Sequence, residues 1–214
     1  PPQGMLLDQP LRLVVASGTT AHKQVWLEQL APALAVLLAR HPQLALDLLG
    51  HLQLPLSLQP FSDRIRCLPY TAYPRYLEQL GQSSIGLVAL EPGAFTDAES
   101  AIRWMEFSYL GLCSVLSPTA TYQQLLQPGE HALFASSSAQ WIEQIELLIS
   151  NPELRSKLAR QAQAHALQCF GAHQAEAFWR PWIDPPASAA VPQRRKLLVL
   201  HVFYAPQLMG GATR

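Results

Sequence analysis

Six short apolar runs punctuate this chain, and the pattern limits its fold more than any motif does. They are "LRLVVASG" (11–18), "LALDLLGHL" (44–52), "RIRCLPY" (64–70), "IGLVALEP" (85–92), "LCSVLS" (112–117) and "EHALFA" (130–135). Most of the segments between them carry helical apolar spacing: 22–42, with Pro32 a candidate kink, then 73–83, 100–110 and a short piece starting at "TYQQLL". From 138 to about 183 the chain reads as mostly helical, with a break near "SNPE". Apolar strands alternating with helices predict an α/β fold: a Rossmann-like parallel sheet of about six strands with helices on both faces. Such sheets bind ligands beyond the carboxyl ends of their strands, near a switch in strand order. The candidate positions are then Ser17–His22, Gly50–His51, Tyr70–Tyr73, Glu91–Ser100 and Ser117–Tyr122.

The flanks read differently. Residues 1–10 are Pro-rich and read as a linker, as do residues 184–195, "DPPASAAVPQRR". Residues 11–183 form the main domain in this reading. After the second linker, 196–214 is a fresh apolar strand and a Gly-Gly turn, the expected start of a further α/β domain. The chain thus reads as a fragment of a longer protein.

Composition removes several function classes. The formal net charge is zero, with 15 basic and 15 acidic residues. That gives no general reason to expect nucleic acid as a partner. Cys67, Cys113 and Cys169 lie far apart in apolar stretches, without a CxxC, so neither a disulfide framework nor a structural zinc site is expected, and a cytoplasmic location is. The histidines show no metal-ligand spacing.

Two places carry candidate chemistry. In "ASGTTAHK" a strand ends at Gly18 and hydroxyl residues lead into a helix. Free N–H groups and the helix dipole there suit a diphosphate, with Thr19 and His22 beside it, although a Ser/Thr-rich helix cap needs no ligand. In "AIRWMEFSYLG" the spacing puts Ile102, Met105 and Tyr109 on one apolar stripe with Glu106 beside it, one turn before Gly111. Two readings of Glu106 stand. It is an exposed rim residue paired with Arg103, or a carboxylate at the strand-end crevice able to accept two hydrogen bonds from a vicinal diol such as a ribose. Glu91, Asp97 and Glu99 add three acids around a turn, Glu91 and Glu99 being separated by seven residues.

From Gly18 to Phe178 the chain resembles the C-terminal, nucleotide-sugar-binding domain of family 4 glycosyltransferases, which have the two-domain GT-B fold. The block "IGLVALEPGAFTDAESAIRWMEFSYLGLCSVLSPTATYQQLLQPGEHALFA", the opening "ASGTTAHK" with its long helix, and the closing "NPELRSKLA" carry the resemblance. It implies a retaining transferase that moves a hexose from a nucleotide diphosphate sugar to an acceptor glycan or lipid-linked sugar. The acceptor would be held by a domain missing here, and the isolated fragment would turn over little. The resemblance implies no required cofactor and no metal, and leaves room for peripheral membrane association of the full protein. It assigns Glu106 to the donor's ribose hydroxyls, Gly18, Thr19 and His22 to the diphosphate, and Phe95, Glu99 and Ser100 to the sugar and phosphate pocket. Thr119, Ala120 and Thr121 would form a loop near the phosphates. Arg103 stands where a subgroup of the family has lysine.

Two positions depart from the family. The first of its two glutamates falls here at Ala98, and Glu99 replaces a basic residue. They keep open a degenerate sugar-nucleotide-binding or scaffold module. The strand-end acids keep open an epimerase-like enzyme.

Overall fold

The computed structural model describes residues 11–17 and 23–183. Both linkers, the 196–214 segment, and Gly18, Thr19 and His22 lie outside the described residues. One compact unit runs to Ala166 and a second begins at Leu167.

In the first unit, six parallel strands run in the order β3-β2-β1-β4-β5-β6. They are β1 (Arg12–Ser17), β2 (Ala45–Gly50), β3 (Ile65–Leu68), β4 (Ile85–Val88), β5 (Cys113–Leu116) and β6 (Leu133–Phe134). The strand order reverses between β1 and β4, which sets the switch point there. Strand β4 is shorter than its apolar run, because that run continues into buried loop after the ladder ends. Ala89 and Leu90 are such residues.

Alternation along the strands builds two cores. Leu13, Val15, Leu46, Leu48, Ile85, Leu87, Cys113 and Val115 face one side. Val14, Ala16, Leu49, Val88 and Leu116 face the other. A period-two pattern with both faces apolar needs helices on both sides, as expected. The first face is covered by α1 (Lys23–Val25), a π turn (Trp26–Leu30), α2 (Ala31–Arg40) and α7 (Ser138–Ser150). The second is covered by α3 (Tyr73–Leu80), α5 (Ile102–Tyr109), α6 (Ala120–Leu125) and the part of α8 (Pro152–Phe170) that carries Ala162 and Ala166. A one-turn α4 (Ala94–Asp97) and a 3-10 segment (Leu56–Arg64) complete the connections in this unit.

Local chemistry explains the helix boundaries. Pro32 stands in the first turn of α2, and the helix ahead of it widens into the π turn. The break at "SNPE" is a cap: Asn151 Oδ1 accepts from Leu154 N at 2.9 Å, and Pro152 opens α8. In the second unit α9 (Ala172–Ile183) follows Gly171.

Two sequence expectations are corrected here. Cys67 is exposed on edge strand β3, whereas Cys113 is buried. The stripe Ile102–Met105–Tyr109 is not the buried face of α5, since Ile102 and Tyr109 are exposed. Trp104, Phe107 and Ser108 face the core instead. Two large rings one turn apart outweigh the longer stripe, and the sheet has room for one of them, Phe107, at Gly86.

Candidate functional site

The carboxyl ends of β3, β4 and β5 lead into α3, into α4 and then α5, and into α6, and side chains of α3 and α5 meet in a polar cluster. Glu106 is its centre. It is 6% exposed, so the rim reading fails on burial, yet the pairing with Arg103 is present. Arg103 Nη1 donates to Glu106 Oε2 at 2.6 Å, and the Tyr76 hydroxyl donates to the same oxygen at 2.9 Å. Arg103 also touches the Tyr76 hydroxyl and lies over its ring, 5.4 Å from the centroid. A carboxylate this deep needs such partners, because unpaired burial of charge costs several kcal/mol.

The titration behaviour follows from the packing. Burial pushes the Tyr76 phenol far above its ordinary range, with Arg103 opposing and Glu106 assisting. Burial does the same for Tyr122 on α6, and burial and the Glu106 charge raise Tyr73. Burial works against the Arg103 charge, but Tyr76 and Glu106 together raise its pKa. At neutral pH the phenols of the cluster are therefore neutral and able to donate, and Arg103 is a guanidinium. Tyr73 stacks on Tyr76 at 6.0 Å and is 41% exposed, so the cluster reaches solvent through it. Tyr70 packs on His51 at 4.9 Å at the ends of β3 and β2.

A second group of predicted residues forms a stapled pair of loops. Thr96 Oγ1 donates to the carbonyls of Glu91 and Gly93. Asp97 Oδ1 accepts from Ala120 N at 2.8 Å, and Thr121 Oγ1 donates to the carbonyls of Asp97 and Glu99 at 2.8 and 3.0 Å. Phe95, Glu99, Ala120 and Thr121 thus belong to one rigid edge. Phe95 stands out from it at 68% exposed, and Ser100 is exposed just before α5. The Ala120 N–H, predicted near phosphate, is occupied by Asp97. Thr119 is buried, and its Oγ1 has no partner among the described residues. The α5 N-terminus has no side-chain cap, leaving its first-turn N–H groups at this edge.

A cavity of about 30 Å³ at the same edge is lined by Val25, Gln29, Leu90, Pro92, Ser117, Pro118 and Ser136. It is water-sized; Pro92, Ser117 and Pro118 bring the candidate stretches 91–100 and 117–122 to it, whereas Phe95, Glu99, Ser100, Arg103, Glu106, Thr119, Ala120 and Thr121 do not line it. No cluster of three or more His, Cys, Asp or Glu able to hold a metal occurs among the described residues. Tyr76 escaped the sequence reading: it lies 30 positions from Glu106, and only its i,i+3 spacing from Tyr73 hinted at a shared face.

The model of a family described as glycosyl transferase-like matches residues 27–180. The chain belongs to the glycosyl transferase-like family. Solved structures place the fold of this glycosyl transferase-like chain in the GT-B C-terminal half. It resembles the C-terminal domain of the group 1 glycosyl transferase LpcC from Francisella tularensis, with a TM-score of 0.56 and 13% identity over 75% of this chain and 86% of that domain. It resembles HepE from Anabaena in complex with UDP-glucose, with a TM-score of 0.59 and 16% identity over 80% of this chain but 49% of HepE. It also resembles a UDP-N-acetylglucosamine 2-epimerase from Listeria monocytogenes, so described provisionally, with a TM-score of 0.55 and 15% identity over 78% of this chain and 46% of that one. The chain therefore spans about half the length of HepE and of the Listeria protein. No curated protein gives a significant sequence match.

Proposed function

We propose that this chain is the donor-binding half of a retaining glycosyltransferase, which moves a hexose from a nucleoside diphosphate sugar to an acceptor glycan or lipid-linked sugar held by a second domain. The observation that carries this is Glu106: a buried, doubly bonded carboxylate at the carboxyl edge of a sheet of this family. A ribose diol is a neutral double donor, which suits a carboxylate that is already charge-balanced by Arg103. The uncapped N-terminus of α5 suits the diphosphate, whose charge must be stabilised as it leaves. Gly18, Thr19 and His22 would serve the same group, while Phe95, Glu99, Ser100 and the 119–121 loop would border the sugar. The donor is the substrate, and the reading needs no cofactor or metal. It places the enzyme in the cytoplasm, where nucleotide sugars are available. No described helix is long and apolar enough to cross a membrane.

Ala98 and Glu99 favour a second reading, a module that binds the donor without turning it over. The epimerase reading loses one acid, since Asp97 is engaged as the partner of Ala120 N.

The test is a thermal-shift screen of the full chain with UDP, GDP, dTDP and their sugar conjugates, followed by a donor-hydrolysis assay. Protection with slow sugar release supports the transferase. Protection without release, also in the full-length parent protein, supports the binding module. No protection by any of them rejects both.

A further inference from the structure

Resting on the ribose reading of Glu106, we infer that Tyr76 and Arg103 are positioning residues that aim its carboxylate at the donor's ribose. Both close hydrogen bonds end on one oxygen, Oε2, at 2.9 and 2.6 Å. Oε1 accepts from neither of these two donors, and rotation about the last side-chain bond is blocked from two directions. The two donors come from different helices. Arg103 belongs to the same helix as Glu106, one turn back, and by itself would let the pair swing together. Tyr76 comes from α3 and touches both members, which ties the pair to a second element.

The arrangement also settles an electrostatic conflict. A nucleoside diphosphate brings a diol that wants a carboxylate and a diphosphate that repels one. Arg103 at 2.6 Å cancels the carboxylate charge locally, so Glu106 can accept from hydroxyls without opposing the phosphates. A neutral Tyr76 adds direction without adding charge. Its raised pKa keeps it a donor at neutral and mildly alkaline pH. Half-exposed Tyr73, stacked on Tyr76, is the side chain a ribose would displace or share.

The test compares affinities for UDP, GDP and ADP with those for their 2′-deoxy counterparts, by calorimetry on the full chain. The variants are Tyr76→Phe, Arg103→Met and Arg103→Lys, each checked by thermal unfolding. The parent is expected to prefer one ribonucleotide over its deoxy form by about tenfold or more, the value of a charge-assisted hydrogen bond. Tyr76→Phe should lower that ratio several-fold while leaving the folded state intact. Arg103→Met should bring it close to one, and Arg103→Lys should restore part of it. A merely structural residue would weaken both nucleotides together and leave the ratio unchanged, and that result in Tyr76→Phe overturns the inference while the ribose reading stands. A parent that binds no nucleotide, or binds both forms equally, overturns the ribose reading and the inference with it.

Discussion

Phe107 lies flat against Gly86: a β-carbon placed on Gly86 would come within 2.3 Å of the Phe107 ring. This contact seats α5 on β4. Phe107 is fully buried, so its ring has nowhere to retreat. The next residue back is Glu106, whose position at the sheet edge follows from how deep Phe107 sits. Gly86→Ala is expected to destabilise the chain by about 1–3 kcal/mol through overpacking. It should also weaken nucleotide binding, because lifting α5 moves Glu106. Denaturant titration and a nucleotide titration on the same variant check both. Lost stability with unchanged affinity would separate the packing from the site.

Asp47 is 0% exposed in β2, and three bonds hold its carboxylate. Arg12 donates at 2.7 Å, and Arg66 donates at 2.8 and 2.6 Å. Removing it leaves two guanidinium groups facing each other across the sheet. Asp47→Ala should cost about 2–3 kcal/mol, less than a fully buried pair would, because both arginines reach water. This cluster joins β1, β2 and β3 and shares no bond with the Glu106 group. Nucleotide affinity of the folded variant should therefore stay within about twofold of the parent, the additivity expected of independent sites.

His131 and His165 stack at 3.9 Å with nearly parallel rings. His131 titrates below its ordinary 6.5, first because it is partly buried and second because of His165, with Glu130 pulling the other way. The unfolded chain therefore takes up a proton at this position before the folded chain does. Stability from this residue is complete above pH 6.5 and is lost as the pH falls through the lower, folded value. Unfolding free energy should decline on acidification below neutrality, and His131→Asn should flatten that slope. An unchanged slope in the variant would assign the acid sensitivity elsewhere.

Much of the fold was legible because its signals are local. Each strand announced itself as an apolar run, and the two-sided burial of those runs required helices on both faces. Asn151 and Pro152 marked a cap that spacing alone located. What the sequence concealed were relations between distant residues. Nothing in "IRWMEFSY" says that Gly86 opens a slot for Phe107, so the Ile102–Met105–Tyr109 stripe looked like the better buried face. Nothing near Glu106 names Tyr76, which arrives from another helix. Glu106 is buried, as its apolar neighbours in the sequence suggest. Of its two readings, the pairing with Arg103 is present in the structure but the exposed rim is not.

The central claim is that Glu106 binds the ribose of a nucleoside diphosphate donor. The most direct measurement is calorimetric titration of the parent chain and Glu106→Ala with the nucleotide that best protects the parent. The account predicts that the variant stays folded and loses about 10- to 100-fold in affinity, the weight of hydrogen bonds to a charged acceptor. A folded Glu106→Ala chain that binds the nucleotide as tightly as the parent would contradict it.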